Sequence, residues 1–175
     1  MRRTATAFAT ALLIFLTLAN TPAFAREILV QVTSISASML PKDARTEREA
    51  GVQFDPKLRP YSKNLLSLFA YEKYEFISRH ELAIEPGTAL PFQLPEHFSL
   101  EVAPEELAPG GSDLIEMTIT LYRDVPQRPG GRGGRGEGRE VVLRTKIRLK
   151  NGGTVLLGGP PIRSGVLVMA LSARG

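Results

Sequence analysis

Ile115–Tyr122 (IEMTITLY) alternates strictly between apolar and polar residues, the period of two that is typical of a half-buried β-strand. Val141–Lys150 (VVLRTKIRLK) repeats this pattern further along the chain. The cations of this second stretch share one face, namely Arg144, Lys146, Arg148 and Lys150. Four cations cannot be buried without partners, so this face is expected to meet water or an anionic partner.

The residues after Lys150 carry strong turn signals. Asn151-Gly152 is a two-residue hairpin sequence, and Thr154–Leu157 is expected to return as the partner of the preceding strand. Gly158–Pro161 (GGPP) is expected to break the chain. Gly165–Leu171 (GVLVMAL) is a continuous apolar run, which suits a strand buried on both faces.

Shorter strand patterns precede these segments. Glu27–Ile35 is rich in β-branched residues and predicts an opening strand. Tyr71–Ile77 alternates, and Glu81–Ile84 either pairs with it or continues it. Three prolines exclude a central strand over Pro86–Pro95, leaving a crossing or an edge, and Phe98–Val102 alternates briefly.

One amphipathic helix is predicted over about Pro56–Phe69, where Asp55 is a helix cap and Pro56 the first helical residue. Apolar side chains recur there at near-helical spacing. With about seven or eight strands to one helix, the sequence predicts a mainly β (α+β) domain over residues 26–175. We expect a single twisted β-sandwich or a partly closed barrel, with the helix laid over one end.

The first 25 residues have the three parts of a secretory signal peptide. Arg2 and Arg3 are followed by the apolar run Ala7–Leu18 and by the small residues of Ala23–Ala25. The apolar run is shorter than the roughly 20 residues of a membrane-spanning helix, so cleavage is favoured over anchoring and no stable membrane insertion is expected. Thr4–Thr6 lacks the apolar pair of a twin-arginine signal, which favours the general secretory route.

Export and composition bound the mature protein. Removing 25 of 175 residues leaves 150, enough for one domain with a hydrophobic core. Without Arg2 and Arg3 the charges are 20 cations against 18 anions, a net of +2. The chain has no cysteine, which excludes disulfides and a lipid-modified cysteine. The sequence therefore predicts a periplasmic or extracellular protein that is not a lipoprotein.

Pro126–Arg139 (PQRPGGRGGRGEGR) is similar in composition to arginine-glycine segments that bind nucleic acid. It has no aromatic residue and lies between two strands of an exported chain, so we interpret it as a disordered surface loop. Arg132, Arg135 and Arg139, with the four cations of Val141–Lys150, are the candidate binding residues. Anionic lipid or polysaccharide is a better partner for them than nucleic acid.

The residue inventory contains no recognised catalytic or metal motif. His80 and His97 each adjoin a glutamate, but neighbouring strand residues point to opposite faces, so neither pair forms an acid–base couple. Glu101, Glu105 and Glu106 are interpreted as solvated charges. We expect no enzyme activity, no cofactor and no metal; an unrecognised hydrolase site is the weaker alternative.

Phe98–Gly159 resembles the β-core of the secretin family, the outer-membrane pores of bacterial secretion and pilus systems. The resemblance lies in an alternating strand, a variable insertion, and Leu143–Thr145 leading into Asn151–Gly159 (NGGTVLLGG). A full secretin needs more than 150 residues. What the resemblance implies is an envelope accessory or assembly component that binds secretion-system proteins or itself as an oligomer. The alternative is a binding module for anionic lipid or polysaccharide.

Overall fold

The computed structural model describes residues 27–40, 51–105, 113–125 and 138–175. The predicted signal peptide, Glu106 and residues 126–137 lie outside these ranges. Nine strands lie within them: β1 (Ile28–Ser38), β2 (Gln53–Phe54), β3 (Lys73–Ile84), β4 (Leu90–Gln93), β5 (Phe98–Pro104), β6 (Leu114–Asp124), β7 (Arg139–Lys150), β8 (Thr154–Ile162) and β9 (Gly165–Arg174).

The strands form two sheets. The five-stranded sheet has the order β2-β3-β1-β9-β8, and the four-stranded sheet has the order β4-β5-β6-β7. All neighbouring strands are antiparallel except β2 and β3, which are parallel. Of the two predicted arrangements, the structure has the sandwich: each sheet of the described chain keeps two free edges.

The main core lies between the two sheets. Alternate residues of β1 and β9 face alternate residues of β5 and β6 across it, because successive side chains of a strand point to opposite faces. Val32 and Leu171 of one sheet, and Leu100 and Ile119 of the other, are fully buried there. The period of two in the sequence thus encodes the side of each strand that enters the core.

A helical layer covers part of the other face of the five-stranded sheet. A 3-10 helix (Pro56–Tyr61) leads directly into α1 (Ser62–Leu68), and the Asp55 side chain caps it by accepting the Lys57 backbone N–H at 2.9 Å. Their buried side chains pack on that sheet, namely Leu58, Tyr61 and Leu65 against Ile35, Tyr74, Val168 and Ala170. The predicted helical segment is confirmed, but only Ser62–Leu68 is α-helical; its first six residues, which include Pro60, form the 3-10 helix.

β9 confirms the prediction of a strand buried on both faces. Leu167, Met169 and Leu171 enter the core between the sheets, while Val168 and Ala170 contact the helical layer. β3 confirms the continuous alternative for Tyr71–Ile84, with a register shift opposite Ser34/Ile35 of β1.

Two predictions after Lys150 are wrong. β7 and β8 do not form a hairpin: the turn at Asn151–Gly153 is a corner that carries the chain from one sheet to the other, and β8 pairs with β9. Gly158–Pro161 does not end the strand but lies inside β8, where the register with β9 shifts. The physical reason is that β8 has a short connection on both sides, and β9, which is buried on both faces, offers it an apolar strand to pair with.

Candidate functional site: the open edge and charged face of β7

β7 is an edge strand of the four-stranded sheet and pairs only with β6 within the described chain. Ile147 and Leu149 lie opposite Met117 and Ile115, which are buried in the core, so the odd-numbered residues from Leu143 to Leu149 face inward. Before Leu143 the register with β6 shifts, and Val141 stands opposite Tyr122. The even-numbered cations therefore lie on the outer face of this sheet. Of the predicted binding residues, Arg139, Arg144, Lys146, Arg148 and Lys150 belong to β7, and Arg132 and Arg135 are outside the described ranges.

The backbone of β7 points alternately toward β6 and toward the open edge. Asn151 N–H donates to the Asp113 carbonyl at 2.7 Å, which makes this pair a hydrogen-bonded one. Because hydrogen-bonded and non-hydrogen-bonded pairs alternate in an antiparallel ladder, the odd residues from Leu149 back to Leu143, where the register shifts, direct their backbone groups to β6. The backbone N–H and C=O groups of Arg144, Lys146 and Arg148 then point away from β6, to the open edge.

Two of the cations have carboxylate partners on neighbouring strands. Lys146 Nζ lies 2.7 Å from Glu105 Oε2 and 3.3 Å from Glu116 Oε2. Arg148 Nε lies 2.6 Å from Glu116 Oε1, and the Thr118 hydroxyl donates to Glu105 Oε1 at 3.3 Å. The sequence predicts that Glu105 is a solvated charge. The structure instead places it in an ion-pair network that joins the end of β5 to β6 and β7.

These contacts shift the titration of the network. The hydrogen bond from Lys146, with the nearby Arg148 charge, lowers the pKa of Glu116 against a smaller desolvation effect. The hydrogen bonds to Glu105 and Glu116 raise the pKa of Lys146. Both groups are exposed, so solvent screens the pairs and the network fixes side-chain positions more than it stabilises the fold.

Arg144 and Lys150 differ from this central pair. The residue opposite Arg144 on β6 is Thr120, and the residue opposite Lys150 is Leu114. Neither cation has a carboxylate within 4 Å among residues that the structure describes. Along Arg144–Lys150 the outer face thus has a central ion-pair network, and the cation on either side of it has no carboxylate partner among the described residues.

The start of β7 forms a neck for the Gly/Arg-rich segment. Val125 N–H donates to the Gly138 carbonyl at 2.6 Å, and Arg139 Nε lies 3.3 Å from Asp124 Oδ1. Arg139, predicted as the last loop residue, is therefore the first residue of β7. Beside the neck, the side chains of Val125, Val141 and Val142 are 47%, 55% and 40% exposed.

The other edges differ from β7. β4 has four residues and contains Pro91, and β8 is interrupted by its register shift and contains Pro160 and Pro161. β2 covers only the first two residues of β3, so the rest of β3 is a second open edge. Arg79 and Glu81 on β3 carry opposite charges, and Glu81 lies 3.9 Å from Arg174. β7 is the edge strand on which a cation occupies every second position, from Arg144 to Lys150.

A shallow polar depression lies on the outer face of the five-stranded sheet, beyond the helical layer, with a volume of about 240 Å³. Gln31, Glu81 and Ser172 stand opposite one another across its floor. Its lining is completed by Leu29, Gly152, Thr154, Ala173 and Arg174. The depression brings together one carboxylate and one guanidinium with amide and hydroxyl groups, but none of the predicted binding residues.

The two histidines lie apart from these features. His80 is an exposed residue of β3, and His97 lies in the turn between β4 and β5. Glu96 and His97 both adopt left-handed backbone conformations, with φ of 57° and 63°. Glu96 Oε1 accepts the Arg163 backbone N–H at 2.6 Å, which holds this strained turn against the β8–β9 turn.

Within the described ranges, no group of three or more metal-ligating side chains is close enough to hold an ion, and no helix is long and apolar enough to cross a membrane. Comparison of the chain with protein-family models, characterised proteins and solved structures finds no match. Function is therefore inferred from the geometry of β7.

Proposed function

We propose that the mature chain, beginning at about Arg26, is an exported, non-catalytic β-sandwich protein that binds another cell-envelope protein by strand addition at β7. In this mode an extended segment of a partner joins the sheet as a further strand, and main-chain hydrogen bonds hold it there. The open backbone groups of Arg144, Lys146 and Arg148 carry the proposal, because they form a regular ladder that no strand within the described ranges pairs with.

The side chains around this edge support a protein partner. Leu143, Thr145 and Ile147 are only half-buried at the rim of the core, so an added strand would bury them further. Val141 and Val142 at the neck add exposed apolar surface at the same end of β7. A partner strand would gain both backbone hydrogen bonds and apolar contact.

The resemblance to the secretin β-core leads to the same class of partner, a component of a bacterial secretion or pilus assembly. Its most specific part was the hairpin at Asn151–Gly159, and in the structure this segment joins two sheets instead. The proposal therefore rests on the β7 edge and not on that hairpin.

Binding of anionic lipid or polysaccharide is the alternative. It has less support, because Glu105 and Glu116 lie among the cations of the outer face and offset part of their charge. Anionic liposomes that bind the mature chain in a salt-sensitive way, without dependence on the β7 backbone, would favour this alternative.

The test compares Lys146→Pro with Lys146→Gln. Both variants lose the cation, but only proline also removes the backbone N–H at the open edge, and edge strands tolerate proline. We expect a partner from an envelope extract to co-purify with the wild type and with Lys146→Gln, and to be lost with Lys146→Pro.

Arg148→Pro and Arg148→Gln form a second matched pair at the next open position, and thermal melting checks that each variant is folded. Strand addition at β7 is wrong if folded proline variants retain the same partner as their glutamine counterparts. It is equally wrong if the wild type retains no envelope protein.

A further inference from the structure

The charges of β7 specify the chemistry of the strand it would accept. Arg144 and Lys150 lie six positions apart on the same face. At about 3.3 Å per residue, they are separated by roughly 20 Å along the strand. Between them, Lys146 and Arg148 are already engaged by Glu105 and Glu116 from the β6 side.

An added strand would continue the cross-strand rows of the sheet. Its side chains would stand opposite those of β7, and directly opposed residues interact most strongly in an antiparallel pair. The β6 residues opposite Arg144 and Lys150 are Thr120 and Leu114. Glu101 also lies in the row of Arg144, but two strands away, so a carboxylate on the incoming strand would be the one directly beside each cation.

A second copy of β7 fits this edge poorly. Positions 144, 146, 148 and 150 are all cationic. A two-fold antiparallel pairing that overlaps this segment places cations opposite cations, and directly opposed like charges destabilise a sheet. The edge therefore discriminates against self-pairing while keeping its backbone groups accessible.

The inner side of the edge sets the complementary requirement. Leu143 and Ile147 are half-buried apolar residues that border the main core. Residues of an added strand that alternate with its carboxylates would stand opposite these side chains. Apolar residues at those positions would extend the core by one row.

We infer, on the basis of the proposed strand addition, that the partner segment is an acidic amphipathic strand of another protein. It carries carboxylates six residues apart on one face, to meet Arg144 and Lys150. Apolar residues alternate with them on the other face, to cover Leu143 and Ile147. The recognised ligand is thus a protein segment with alternating acidic and apolar residues.

Synthetic extended peptides test the spacing. The matched peptide has glutamates at positions 2 and 8, threonines at the even positions between them, and valines at the odd positions. The control peptide exchanges residues 7 and 8, which preserves composition but places the second glutamate on the apolar face. By fluorescence anisotropy with the mature chain, we expect the matched peptide to bind at least tenfold more tightly.

Charge exchange tests the residues. Arg144→Glu/Lys150→Glu should lose the matched peptide and bind a version with lysines at positions 2 and 8. Lys63→Glu, a single charge reversal of the same kind on exposed helix α1, should leave both affinities unchanged. Equal affinity for the matched and control peptides, or no binding at millimolar concentration, would overturn the inference.

The outcomes separate this inference from the proposed function. If a captured partner is lost with Lys146→Pro but retained by Arg144→Glu/Lys150→Glu, strand addition stands and the acidic partner is wrong. If neither change affects capture, strand addition itself is wrong. If the wild type alone dimerises and Lys146→Pro abolishes the dimer, the occupant of the edge is a second copy of the chain, and the inference is overturned.

Discussion

β7 and β8 are consecutive strands, joined at Asn151–Gly153, and each forms an edge of a different sheet. β8 has a regular ladder only over Thr154–Gly158, where its register then shifts, and it contains two prolines. β7 continues regularly through Arg144–Lys150 and carries cations instead. Both devices oppose uncontrolled edge pairing. Only the second leaves the backbone groups of the whole segment available, and β7 is therefore the edge at which we propose that a partner strand binds.

The largest expected effect concerns the turn that holds β8. Gly165 has a φ of 141°, and a Cβ at this position would overlap the Ala37 carbonyl oxygen. We expect Gly165→Ala to lower the free energy of unfolding by about 3 kcal/mol or more, because backbone strain and steric overlap add. Chemical denaturation measures this loss. Gly158→Ala is the control, since its Cβ would meet only Phe69 Cε1 at 3.5 Å.

A result in which both alanine variants unfold at the same denaturant concentration would contradict the close approach of Gly165 to β1. It would also mean that the interrupted edge of β8 depends less on this turn than the geometry indicates.

The second effect sharpens the contrast within β7 itself. Leu149 is buried at its carboxyl end, whereas Val141 at its amino end is 55% exposed. Leu149→Ala should destabilise the protein by about 2 to 4 kcal/mol, since it leaves a cavity in the core. Val141→Ala should change stability by less than about 0.5 kcal/mol. Similar losses in the two variants, measured by denaturant unfolding, would contradict the anchoring of β7 through its carboxyl half.

The strands could be predicted because alternation is local. Ile115–Tyr122 has buried residues at every second position, and this pattern needs no knowledge of the rest of the chain. The partner of each strand is not local in the same way. Asn151-Gly152 correctly predicts a turn, but whether the chain then pairs back or crosses to another sheet depends on β9, which offers β8 an apolar partner after a short connection.

The sequence predicts which cationic side chains share a face of β7, but not their ion pairs or the direction of the backbone groups. Alternation places the four cations of β7 on one face, but their ion pairs depend on the β5–β6–β7 register, which brings Glu105 and Glu116 to Lys146. Glu116 could have been found, because it lies on the polar face of a strand expected beside the cationic one. The direction of the open backbone groups depends on which alternate residues of β7 form hydrogen bonds with β6. The pairing that decides this is known only from the structure.

The third effect concerns association. If charge alone prevents β7 from pairing with itself, replacing Arg144, Lys146, Arg148 and Lys150 by threonine should create a self-associating edge. Sedimentation velocity should show dimers or larger species that the wild type lacks at the same concentration. Adding Thr145→Pro is not a suitable control, because the Thr145 N–H faces β6. The control variant has proline instead of threonine at position 146, which removes a backbone N–H at the open edge, and it should be monomeric. If it still associates, the self-association does not use the β7 edge.

The smallest effect is a change in one titration. The Lys146 hydrogen bond is the main cause of the low pKa of Glu116, so Lys146→Gln should move that pKa upward, which NMR of the side-chain carboxyl can follow. A carboxyl whose pKa is lowered by folding contributes stability above its unfolded pKa, and this contribution disappears as the pH falls through the folded value. Lys146 behaves in the opposite sense: its raised pKa contributes below the unfolded value near 10.5 and is lost as the pH rises through the folded one. The network should therefore be intact at neutral pH, with Glu105 and Glu116 paired to Lys146 and Arg148. An unchanged Glu116 titration in Lys146→Gln would show that the Lys146 ammonium does not engage the Glu116 carboxylate, and the central network would then be reduced to the Lys146–Glu105 and Arg148–Glu116 pairs.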